Sequence, residues 1–102
     1  MLDKMAREFM GIVSHLLKQP QPWIRDDRLL VSRERLVAML DRYPYLTATD
    51  KLTTWRALHW IDADQEHFTR PARDECGALK RVVMLNIAVY KKLCELREAV
   101  DK

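Results

Sequence analysis

The chain has 102 residues, with 18 Lys or Arg against 15 Asp or Glu and a formal charge of +3. That length holds one domain, residues 1–102, whose core needs no disulfide or metal to support it. Hydrophobic residues make up 48% and charged residues 32%, a globular balance that excludes a disordered chain, and no apolar run approaches the roughly 18 residues of a membrane span. Asp3, Lys4, Arg7 and Glu8 break any apolar stretch at the start, so the N-terminus does not read as a signal peptide. Cys76 and Cys94 lack metal-type spacing. A disulfide between them can be drawn, but a reducing cytoplasm is the simpler setting. The weak positive charge permits an acidic partner without arguing for one.

Residues 2–18 carry Leu2, Met5, Phe9, Ile12, Val13, Leu16 and Leu17 at gaps of three and four, which predicts a helix with one apolar face. Gly11 weakens that helix by roughly 1 kcal/mol without ending it, and Gln19-Pro20-Gln21-Pro22 ends it. A loop is expected at 23–27, then a short strand at 28–31. Ser32 is a good N-cap for a helix over 33–42, with Leu36, Val37 and Leu40 inward. Pro44 forbids its continuation. After a turn, Thr47 or Thr49 caps a third helix whose inward residues are Leu52, Trp55 and Leu58, ending near Trp60 or Ile61. Asp62-Ala63-Asp64 reads as a turn, residues 66–70 as a strand centred on Phe68, and 71–77 as a polar turn. Residues 79–86 form the best strand candidate, because Val82 and Val83 are β-branched and Gly77 precedes the run. Residues 87–102 carry Val89, Tyr90, Leu93, Leu96 and Val100 at helical spacing, with Asn86 as N-cap.

The predicted class is therefore mostly α with a small antiparallel sheet. The order helix, short strand, helix, helix, hairpin, helix resembles the winged helix-turn-helix superfamily over residues 2–86. Its spacing is also similar to small winged-helix modules of phage and mobile-element proteins. A four-helix bundle is the rival, and it leaves the adjacent β-branched residues of 79–86 unexplained. The resemblance implies that the second and third helices form the helix-turn-helix and the hairpin the wing. It implies DNA binding, with the third helix in the major groove and the wing on phosphate or the minor groove. It also implies a homodimer through the last helix, residues 87–102.

On the third helix, Thr53 and Arg56 turn away from the apolar face with Ala57 and Trp60. They are candidates for base or phosphate contact, set against the plainer reading of a solvated face. One cation is few for a major-groove reader. The wing offers Arg70, Arg73, Lys80 and Arg81, diluted by Asp74 and Glu75. Arg70, Lys80 and Arg81 have no acidic neighbour in sequence, which favours phosphate contact over an idle charged hairpin. Arg25, Arg28, Arg33 and Arg35 surround the second helix start, where a phosphate could bind. Asp26, Asp27 and Glu34 among them make an ordinary mixed surface the better reading.

His15, His59 and His67 lie on different elements without the spacing of a helical zinc pair. No glycine-rich phosphate loop, nucleophile elbow or apolar carboxylate pair is present, so neither catalysis nor a cofactor is expected. Of Trp23, Trp55 and Trp60, Trp23 is expected to be the exposed one and Trp55 a core residue. Single-strand stacking is open to an exposed indole. The expectation is a cytoplasmic DNA-binding domain, for double- or single-stranded DNA, in regulation or replication of a bacterial or mobile genetic element. The competing reading is a protein-interaction domain with a winged-helix or bundle fold.

Overall fold

In a computed structural model that describes residues 2–64 and 67–101, the chain runs α1 (Leu2–Leu17), β1 (Ile24–Arg25), β2 (Arg28–Ser32), α2 (Arg33–Leu40), α3 (Ala48–Ala57), β3 (Arg70–Arg73), β4 (Leu79–Asn86) and α4 (Ile87–Asp101). The strands form one four-stranded antiparallel sheet in the order β1-β2-β4-β3. The class is thus mixed α/β. Among the described residues no helix is long and apolar enough to cross a membrane.

Alternation sorts the central strands. Val31 pairs with Val83 and Leu29 with Leu85, and these four face the helices. There they meet Met5, Phe9, Ile12, Val13 and Leu16 of α1, Leu36 and Leu40 of α2, and Leu52 and Trp55 of α3. Phe9 stands edge-on to Trp55, ring centroids 5.0 Å apart at 89°. Each such side chain contributes about 1.5–3 kcal/mol by leaving water. The intervening residues Leu30 and Val82 point to the other face, where they pack with Ala72 and half-buried Trp23. That placement sets Trp23 under the hairpin rather than in open solvent.

A polar contact fastens α1 to the turn between α2 and α3. Lys51 is fully buried on the inward side of α3. Its Nζ donates to Glu8 Oε2 at 2.9 Å, to the Leu40 carbonyl at 2.7 Å and to the Tyr43 carbonyl at 2.6 Å. The Tyr45 hydroxyl donates to Glu8 Oε1 at 2.6 Å, and the ammonium lies 4.3 Å from the Tyr45 ring centroid. All three ammonium protons therefore have acceptors, as a buried charge requires. Burial, and then the hydrogen bond and charge of Glu8, push the Tyr45 hydroxyl well above its ordinary value.

The caps form where the sequence places them. Ser32 accepts from the Arg35 amide, Thr47 from the Asp50 amide and Asn86 from the Val89 amide. Several boundaries differ from the sequence reading. Residues 23–27 are not all loop. Asp26 and Asp27 hold φ of 48° and 61°, and with Arg25 paired to Arg28 they make the two-residue hairpin turn that joins β1 to β2. The first strand of the long hairpin is Arg70–Arg73 rather than 66–70. Pro71 sits in it because β3 is an edge strand, where a missing donor costs no ladder bond. Phe68 precedes the strand, and Glu66 lies outside the described residues.

Both middle helices are shorter than expected. α2 stops at Leu40, and α3 stops at Ala57. The Trp60 amide bonds the Trp55 carbonyl and the His59 amide the Arg56 carbonyl, a Schellman ending with His59 in the left-handed region at φ 61°. The ending turns Leu58 outward, 40% exposed, and puts Trp60 in the core instead. An L-residue strains at that φ where glycine does not. His59→Gly is therefore expected to raise stability by about 0.5–1 kcal/mol in urea denaturation. A destabilised variant would show that the histidine side chain holds something the backbone account omits.

In α4, Val89, Tyr90 and Leu93 pack on the core, and the helix runs beside α1. Leu96 is 56% exposed. The side chains of Leu2 and Val100 lie outside the described residues.

Candidate nucleic-acid interface

Anchoring by Lys51, Leu52 and Trp55 decides what α3 shows to solvent. Thr49, Asp50, Thr53 and Ala57 are exposed. The Thr53 hydroxyl donates to the Thr49 carbonyl at 2.8 Å. Arg56 is half-buried, its guanidinium 4.7 Å from the Phe68 ring centroid. Thr53 and Arg56 thus come together, with His59 and Asp64, around a hollow of about 280 Å³. One anion, Asp50, offsets one cation on this face, so its charge offers little to a DNA backbone.

The hairpin tip is shaped by Asp74. Its Oδ1 accepts from the Cys76 and Ala78 amides at 3.0 and 2.9 Å, and Gly77 takes φ 82°, which favours glycine. The Ala78 amide first, and Lys80 and Cys76 with it, hold the Asp74 carboxyl below its ordinary value.

Each cation of the β3–β4 hairpin already has an internal partner. Arg70 Nε lies 3.2 Å from Asp62, which also meets Arg28 at 3.8 Å. Arg73 donates to the Gly77 carbonyl at 2.9 Å, and Lys80 Nζ lies 3.2 Å from Asp74. Arg81 donates to the Thr69 hydroxyl and carbonyl, both at 3.0 Å. The Arg70 and Lys80 side chains keep 44% and 60% of their exposure. Solvated pairs of that kind contribute about 0–1 kcal/mol, so a phosphate can replace the carboxylate at small cost. Arg81 is tied most firmly, because two of its donors go to partly buried oxygens of Thr69.

The basic set around the second helix separates. Arg25 reaches across to donate to the Arg73 carbonyl and lies 5.7 Å from the Trp23 ring. Arg28 joins Asp62, while Arg33 and Arg35 stay exposed on the first turn of α2. Arg25 therefore belongs with the β3–β4 hairpin, carried there by the Asp26-Asp27 turn. Among the described residues no group of three or more His, Cys, Asp or Glu is placed to hold a metal. His67 sits 3.4 Å from Asp64, Cys76 is exposed and Cys94 half-buried. Compared with known proteins, the chain matches no protein-family model and no curated protein sequence.

Proposed function

We propose that this chain is a DNA-binding domain of winged-helix design, acting in regulation or replication, that holds DNA chiefly by its phosphates. The observation that carries this reading is topological. The hairpin that follows α2-turn-α3 pairs back onto β2 in the order β2-β4-β3, and it brings Arg70, Arg73, Lys80 and Arg81 onto one hairpin. In this reading the wing cations exchange carboxylate and carbonyl partners for phosphate oxygens. Thr53 and Arg56 add contacts from α3. With the Thr53 hydroxyl bonded to its own helix and Arg56 half-buried against Phe68, base reading is a minor part of the affinity.

The test is fluorescence anisotropy with a labelled duplex of mixed sequence at several salt concentrations. Four phosphate contacts predict a slope of log K against log salt of roughly −3 to −4 on duplex DNA, and a shallower slope on a single strand. No salt-sensitive binding to either form would remove the DNA reading. A protein-interaction domain would then take its place, favoured by the nearly neutral face of α3 and the internal pairing of the wing cations.

A further inference from the structure

A groove of about 680 Å³ runs between α1 and the turn that follows α2. It lies apart from every residue assigned above to DNA. Its α1 wall extends from Lys4 to His15, about 16 Å at the rise of a helix. Ile12 and Met39 give it an apolar floor, and Tyr43 stands at its rim, 61% exposed. Gly11 faces the groove, and a β-carbon added there would meet nothing within 4 Å. The glycine therefore leaves a gap where a second backbone can come close.

Apart from Glu8, the fixed charges around the groove are positive. Lys4, Arg7 and Arg42 line it and are exposed. Among the described residues neither Arg7 nor Arg42 makes an ion pair. Glu8 is the acidic residue of the wall, and both its oxygens are already taken by Lys51 and Tyr45. It offers no compensating charge to those cations. An apolar floor flanked by unanswered cations fits an amphipathic anion. The groove's length along a helix, its open side and the gap at Gly11 select a peptide segment over a compact small molecule.

The geometry points to a docking groove for an acidic amphipathic helix of a partner protein, its apolar face on Ile12 and Met39 and its carboxylates at Arg7 and Arg42. This holds whether or not the wing binds DNA.

A display selection from helix-forming peptides of about 15 residues on the intact chain tests it. The expected winners carry an apolar stripe flanked by Asp and Glu. Their affinity should fall more than about tenfold for Gly11→Leu, which fills the gap, and for Arg42→Glu, which reverses the charge. Gly11→Leu places its Cβ in open space and improves helix propensity, so an unchanged or raised melting temperature separates blocked binding from lost folding. Affinity of Gly11→Leu for duplex DNA should stay unchanged. The proposal is overturned if no peptide is selected, if the winners are not acidic, or if they bind Gly11→Leu as tightly as the native chain. An equal loss of DNA affinity in Gly11→Leu would also overturn it, by assigning the groove to nucleic acid.

Discussion

Lys51→Ala is expected to cost about 3–5 kcal/mol of folding stability. The native ammonium is wholly buried, and its partner carboxylate keeps 3% of its side-chain exposure. Truncating the lysine strands Glu8 as a buried charge with Tyr45 as its one remaining donor. It also takes the ammonium from the Leu40 and Tyr43 carbonyls of the α2–α3 turn, leaving them the Tyr43 and Tyr45 amides as donors. Total stability for a domain of this size is about 5–15 kcal/mol, so the loss is a large fraction of it and the urea midpoint should fall markedly. Pairing the change with Glu8→Gln removes the stranded charge and should recover part of the loss. Urea denaturation of both variants checks this. A loss below about 1 kcal/mol for Lys51→Ala would mean that water reaches the site and the contact is not a fastening.

The sequence reading of that network fails for an identifiable reason. Lysine is almost never fully buried unless paired, and the partner sits 43 residues away in sequence. Only tertiary packing brings Glu8 under α3. Other elements were legible because their cause is local. Ser32 and Thr47 cap helices with their own hydroxyls, and Val82-Val83 prefers a pleated strand wherever it lies. β1 was not legible, because its turn uses two aspartates at positive φ rather than an Asn-Gly pair. β3 was hidden by Pro71, which reads as a breaker until the strand is known to be an edge. Leu58 and Trp60 exchanged places because the spacing was extended one turn beyond the Schellman ending.

At the candidate interface, the cations could be read from the sequence but their partners could not. Asp62 is eight residues from Arg70 in the chain, yet it meets that guanidinium across the start of the hairpin. Arg25 and Arg73, 48 residues apart, are joined by the fold of the sheet. These contacts leave Arg70, Arg73 and Lys80 held in place by weak, replaceable partners. Arg81 is the exception, since it supports the start of β3 through Thr69.

The wing should accordingly carry most of the affinity for DNA. Arg70→Gln, Arg73→Gln and Lys80→Gln together remove three exposed cations and leave the Arg81–Thr69 contact intact. At about 0.1 M salt the combined variant is expected to bind duplex DNA about a hundredfold or more weakly than the native chain. The loss should be alike for all sequences, since phosphate contacts carry no sequence information. Thr53→Ala with Arg56→Gln should change the affinity less, and by an amount that depends on the sequence bound.

The most direct measurement is the salt dependence of the native chain and the wing variant on the same labelled duplex. If the wing holds phosphates, the variant's slope of log K against log salt is shallower by about 0.9 for each contact removed, with circular dichroism unchanged. Identical slopes for the two proteins would contradict a phosphate-binding wing.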